Sequence, residues 1–160
     1  MQKHKVDELC RPCPTPLTVK ADDGIETAIR RFASESDTHV IFVVDDRGRL
    51  EGSVGIRHIL NWVRLKLGIS QEHHDFTRGV ESYEAFEVIK LAESAKIGDI
   101  ASPAASVKRT DSLAHSLNVM ADEGITELAV VDDDNKLAGE IKLTQVLAKM
   151  LDIGTAAGDR

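Results

Sequence analysis

The strongest constraint on this chain is an internal repeat, because two copies of one unit must share one topology. A shift of 88 residues carries Val19 onto Val107, Asp23 onto Asp111, Ile25 onto Leu113, Ile29 onto Leu117 and Phe32 onto Met120. A shift of 87 carries Val43-Val44-Asp45-Asp46 onto Val130-Val131-Asp132-Asp133. The same shift takes Leu50 onto Leu137, Gly52 onto Gly139, Ile59-Leu60 onto Val146-Leu147 and Val63 onto Met150. The offset changes by one, which places a single-residue gap near 33–39. Chance explains one such block and is a poor account of both.

Each copy predicts the same series of elements. Asp23, with Glu26 three residues on, has a capping-box pattern, and Ile25, Ala28, Ile29 and Phe32 follow at helical spacing. In the second copy Asp111 takes the cap position and Leu113, Leu117 and Met120 form the stripe. The runs Val40–Val44 and Leu128–Val131 read as strands buried on both faces. Polar turns follow, Asp45–Arg49 and Asp132–Lys136, with Gly48 and Asn135 at matching positions that suit a left-handed backbone. A second strand spans Leu50–Ile56 or Leu137–Leu143. A last helix runs His58–Leu67, stopping before Gly68, or Thr144–Leu151, stopping before Gly154. The domain reading is repeat 1 at 6–67, a linker at 68–95, repeat 2 at 96–151 and a flexible tail at 152–160. Tyr83, Phe86, Ile89 and Ala92 give the linker an amphipathic helix.

Composition narrows function. At 42% hydrophobic and 29% charged the chain is globular, and no apolar run reaches the roughly 20 residues of a membrane span. Met1–Leu9 has no apolar stretch behind Lys3 and Lys5, so it does not read as a secretory signal, and the expected compartment is the cytoplasm. A net charge of −7 without a Lys/Arg cluster argues against a nucleic-acid partner.

In this order, the helix-start Asp, the Val-Val-Asp-Asp strand, the Gly/Asn turn, the Leu-x-Gly strand and the closing helix resemble the cystathionine β-synthase (CBS) domain. The resemblance covers residues 6–67 and 96–151, and Val6-Asp7-Glu8-Leu9 and Ile97-Gly98-Asp99-Ile100 match the family's lead-in to a first strand at Leu17–Val19 or Ser106–Val107. It implies an α/β (α+β) fold of tandem repeats, each β-α-β-β-α, packed as a pseudo-two-fold disc. It also implies homodimers and a cleft between the repeats for an adenine-containing or related anionic metabolite, such as AMP, ADP, ATP or S-adenosylmethionine, as regulatory ligand.

The resemblance carries candidate ligand residues onto this chain. They are Leu17, Thr38, His39, Val40, Gly55, Arg57 and His58 in the first copy. In the second they are Ser106, Thr126, Glu127, Leu128, Lys142, Thr144 and Gln145. One departure stands out. Adenosine-binding copies carry Ser/Thr-x-x-Asp at the last helix, whose Asp accepts both ribose hydroxyls; here the segments read Gly55-Ile56-Arg57-His58 and Lys142-Leu143-Thr144-Gln145. Losing that contact costs about 1.5–3 kcal/mol, or about ten- to a hundred-fold in affinity. The carbonyl of Gln145 and a ring nitrogen of neutral His58 are the available replacements. Arg57 and Lys142 stand where a phosphate would be met.

Other motifs carry less. Cys10-Arg-Pro-Cys13, with His4 nearby, is compatible with a redox pair or half a zinc site, but Pro12, Pro14 and Pro16 hold the segment away from a helix and no second ligand pair exists. Adjacent His73 and His74 point about 100° apart on a helix and do not chelate one ion, so Glu72–Asp75 reads as linker. Asp132–Asn135 reads as a turn rather than a calcium loop, and Trp62 as core or interface packing. No phosphate loop or nucleophile elbow occurs, so no catalytic or metal residue is assigned. The leading expectation is a non-catalytic regulatory module that senses a metabolite and tunes another protein. The alternatives are a ligand-free dimerisation or interaction module and a redox or metal switch at Cys10 and Cys13.

Overall fold

The computed structural model describes residues 4–10, 16–35, 37–66 and 95–158. The linker helix expected near 81–94, the Glu72–Asp75 motif and Gly68 lie outside them. Along the described chain come a 3-10 turn η1 (Val6–Glu8), strand β1 (Thr18–Val19), helix α1 (Ile25–Ser34), strands β2 (Val40–Val44) and β3 (Leu50–Gly55), and helix α2 (Ile56–Lys66). The second copy follows with η2 (Ile97–Asp99), β4 (Ser106–Lys108), α3 (Leu113–Glu123), β5 (Glu127–Val131), β6 (Leu137–Lys142) and α4 (Leu143–Gly158). Each copy builds one three-stranded sheet, ordered β1-β2-β3 or β4-β5-β6. The first pair in each is parallel, Thr18 opposite Phe42 and Ser106 opposite Ala129, with a helix making the crossover.

The chain forms two compact units, one from Leu17–Val43 and Gly52–Pro103, the other from Met1–Pro16, Val44–Glu51 and Ala104–Arg160. The first unit's core joins Val19, Ile41, Val43 and Val54 of the sheet to Ile25 and Ala28 of α1 and to Ile59 and Trp62 of α2. Ile29 and Phe32 complete the predicted α1 stripe against it. The second unit repeats this with Val107, Leu128, Val130 and Ile141, with Leu113 and Met120 of α3, and with Val146 of α4.

The lead-ins are exchanged, which the repeat pattern alone does not reveal. Ile97 and Ile100, from the second copy, fill the core of the first unit. Val6 and Cys10, from the first copy, fill the core of the second. The backbone follows the same exchange. Ile97 N donates to Asp23 O at 2.8 Å and Gly98 N to Ala21 O at 2.9 Å; Val6 N donates to Asp111 O at 2.9 Å and Asp7 N to Arg109 O at 3.0 Å.

This exchange also corrects the expected helix caps. Gly24 is the α1 N-cap and makes no side-chain bond; instead Ile25 N donates to Ala95 O at 3.0 Å. Ser112 caps α3, its Oγ accepting from His115 N at 3.1 Å, and Leu113 N donates to His4 O at 2.8 Å. Asp23 and Asp111 instead close the turns after β1 and β4, accepting from Lys20 N at 2.9 Å and Lys108 N at 2.8 Å. A lead-in carbonyl thus satisfies a helix-start amide that the sequence assigns to an Asp.

The polar turns agree with the sequence. Gly48 has φ 79° and Asn135 φ 61°, both left-handed. Asp45 Oδ1 accepts from Arg47 N and Arg49 N, and Asp132 Oδ1 from Asp134 N and Lys136 N. These bonds explain the acidic cluster as turn chemistry. Within the second unit the turns also bond each other, Leu50 N to Asn135 O and Leu137 N to Gly48 O, each at 2.9 Å. α4 continues through Gly154 to Gly158, beyond the expected stop. A glycine costs a helix about 1 kcal/mol relative to alanine and weakens it without ending it. No helix among the described residues is long and apolar enough to cross a membrane.

Two substitutions test the exchanged lead-in by urea denaturation. Ile97→Ala is expected to cost about 2–5 kcal/mol by leaving a cavity. A Cβ on Gly98 meets Ala21 Cβ and O at 2.9 Å, so Gly98→Ala should cost about 1–3 kcal/mol. Gly55→Ala, where a Cβ meets nothing within 4 Å, is the control and should stay within about 0.5 kcal/mol of the parent.

Candidate functional site

In the first unit, the candidate residues meet where β3 gives way to α2. Gly55 ends the strand and His58 lies in the first turn of the helix. The Nδ1 of His58 accepts from Gly55 N at 3.4 Å, and its Nε2 lies 2.9 Å from Ser102 Oγ. Acceptance at Nδ1 puts the neutral ring's proton on Nε2, which then donates to Ser102. Ser102 is held in turn by paired backbone bonds with Ser53, 2.9 Å each way. Both ring nitrogens are therefore engaged, and His58 does not offer the spare acceptor that the sequence suggests. The space beside Gly55 is open, while Arg57 is exposed.

Gln145 plays the matching part in the second unit. Its Oε1 accepts from Lys142 N at 2.8 Å, so its carbonyl is also committed to the helix start. Thr144 is exposed. The first amide of α4, Leu143 N, donates to Thr126 O at 2.8 Å. Both replacements for the ribose carboxylate thus act first as local caps.

The remaining candidates fall into two groups. The side chains of Leu17 and Leu128 belong to the cores, and Leu17 O accepts from Phe42 N at 2.9 Å. Thr38 and Val40 are half-buried and His39 is exposed, where the chain passes from α1 into β2. On the second sheet, by contrast, Ser106, Glu127 and Lys142 share the face opposite the core, because core residues Val107, Leu128 and Ile141 alternate with them.

That face also holds Glu140, which sequence reasoning missed. Glu140 pairs with Ala129, and Glu127 stands opposite Lys142 two residues along. Both carboxylates are buried, at 3% and 5% exposure. Lys142 Nζ lies 3.8 Å from Glu127 Oε1, whereas Glu140 Oε2 has no hydrogen-bond partner. In the sequence it shows only as an acidic residue beside Ile141 in an expected strand.

Among the described residues no group of three His, Cys, Asp or Glu is placed to hold a metal. Cys10 is buried in the second unit's core and disulfide-bonded; Cys13, the chain's other cysteine, lies outside the described residues. A disulfide sulfur is not a thiolate and does not ligate zinc.

Burial, reinforced by the Glu127 charge and opposed by Lys142, pushes the Glu140 carboxyl up to about 7 from 4.5. A carboxyl raised in the folded state binds its proton more tightly there. Its contribution to stability is complete below about 4.5 and is lost as pH rises through about 7. Allowing for water penetration, the loss should be on the order of 1–2 kcal/mol. Urea denaturation near pH 5 and near pH 8 should show this loss in the parent and not in Glu140→Gln.

Comparison with known proteins matches this arrangement to one family. The CBS domain family model matches residues 6–65 and 97–152. A CBS domain-containing protein from Thermotoga maritima superposes with a TM-score of 0.71 at 20% identity, covering 95% of this chain and 97% of that one. A CBS domain protein from Pyrobaculum aerophilum, solved with AMP, gives 0.64 at 17% identity, covering 94% and 98%. A CBS domain pair solved with 5′-methylthioadenosine and S-adenosyl-L-methionine gives 0.65 at 15% identity, covering 91% and 98%. No curated protein sequence matches. With both copies matched in sequence and topology, the chain belongs to the CBS domain family and carries a pair of such domains.

Proposed function

We propose that this chain is a non-catalytic regulatory module that binds an adenine-containing ligand and acts in the cytoplasm on another protein. The observation that carries the reading is the junction between last strand and last helix of the first copy. There Gly55 leaves open space and Arg57 faces solvent. Relatives of this fold solved with AMP or with adenosyl ligands support the ligand class. Binding shifts a conformational population by its differential affinity, so regulation needs no chemistry.

The engaged state of His58 and Gln145 makes a specific demand. A nucleoside binds here without a ribose carboxylate, so its affinity is modest. Thermal melts against AMP, ADP, ATP and S-adenosylmethionine are the direct test. A ligand at 100 times its dissociation constant adds about 2.7 kcal/mol, a shift of several degrees. No shift at millimolar concentration sinks the reading. Restoring the family motif with Gly55→Thr and His58→Asp, for which the space beside Gly55 is open, should tighten AMP binding about ten- to a hundred-fold by calorimetry.

A second reading, association with a second copy, is favoured by exposed apolar residues one helical turn apart. Ile56 and Leu60 on α2 are 44% and 55% exposed, and Leu147 and Leu151 on α4 are 45% and 70% exposed. Leu60 and Leu147 hold the same repeat position. Such exposed apolar side chains favour burial against a partner. Light scattering should find a dimer for the parent and a monomer for Leu60→Glu with Leu147→Glu; a monomeric parent removes this reading.

A further inference from the structure

The face of the second sheet opposite its core holds two buried carboxylates and one ammonium already engaged by the first of them. Glu127 faces Lys142 at 3.8 Å, while Glu140, on the same face, keeps Oε2 buried and without a partner. Lys108 stands along the same side, but its Nζ lies 2.8 Å from Asp133 Oδ1 and points its charge there. Ser106 adds a neutral hydroxyl. A buried carboxylate oxygen without a donor is costly, and the group that relieves it brings N–H bonds and positive charge.

We infer that Glu140, supported by Glu127, is the acceptor for a protonated amine on a small ligand, so that this unit selects positive charge over phosphate. An ammonium group offers three donors and neutralises the surplus negative charge on the face. A phosphate meets Glu140 as a like charge and finds Lys142 already committed to Glu127. The inference rests on the adenosine-ligand reading and gives it a charge preference, with Glu140 as a specificity-determining residue.

The test uses three probes on one scaffold: 5′-amino-5′-deoxyadenosine, adenosine and AMP, titrated calorimetrically into the full chain near pH 8, where Glu140 is ionised. The amine should bind about tenfold tighter than adenosine. Glu140→Gln should bring that ratio to about one, leave adenosine unchanged and tighten AMP. Should Glu140→Gln fail to fold by circular dichroism, Glu127→Gln decides, with a smaller fall in the same ratio. Binding of adenosine with a ratio that neither substitution moves overturns the charge selection and leaves the adenosine reading standing. Absence of binding by all three probes overturns both.

Discussion

Each core in this protein is finished by a segment from the other copy. Without Ile97 and Ile100 the first unit lacks part of its apolar filling, and without Val6 and Cys10 the second does. The residues just before the lead-ins, Ala95 and His4, supply the carbonyls for Ile25 N and Leu113 N, the opening amides of α1 and α3. A helix start buried without such a partner is unstable, so apolar filling and polar satisfaction come from one short element. The copies are therefore bound to each other's folding, and each small core gains closure that neither stretch of sequence supplies alone.

The same economy shapes the candidate ligand positions. His58 and Gln145 stand where the family resemblance expects a carboxylate, and each accepts from a backbone amide at the start of its helix, Gly55 N or Lys142 N. Ser102, which holds His58, arrives on the exchanged lead-in just after Ile100. A change in that segment is thus felt both in the first unit's core and at the α2 junction, and this is the kind of physical link through which a ligand can alter packing. The second sheet concentrates polarity differently, with Glu127, Glu140 and Lys142 on one buried face. Such a set reduces stability unless something completes it, and residues kept at that cost commonly serve binding.

Much of the fold was legible beforehand. The α1 stripe of Ile25, Ala28, Ile29 and Phe32, the strands at 40–44 and 128–131, and the left-handed Gly48 and Asn135 all stand where periodicity and turn chemistry put them. The caps did not, because Asp23 and Asp111 have two local uses within hydrogen-bonding reach, and only the arriving lead-in decides between them. Of the candidate site residues, Leu17 and Leu128 have core-facing side chains, while Ser106, Glu127 and Lys142 share a face. Glu140 escaped notice because its significance is its burial, which a single sequence does not display.

The sequence by itself determined the repeated unit, its element order and its turns, since these follow from spacing and backbone preference within about a dozen residues. Tertiary structure alone decided which copy each lead-in completes, that Ser102 meets the second ring nitrogen of His58, and which acid is left without a donor. Those outcomes depend on contacts between residues tens of positions apart, and no local pattern encodes which of several compatible partners a buried group will meet.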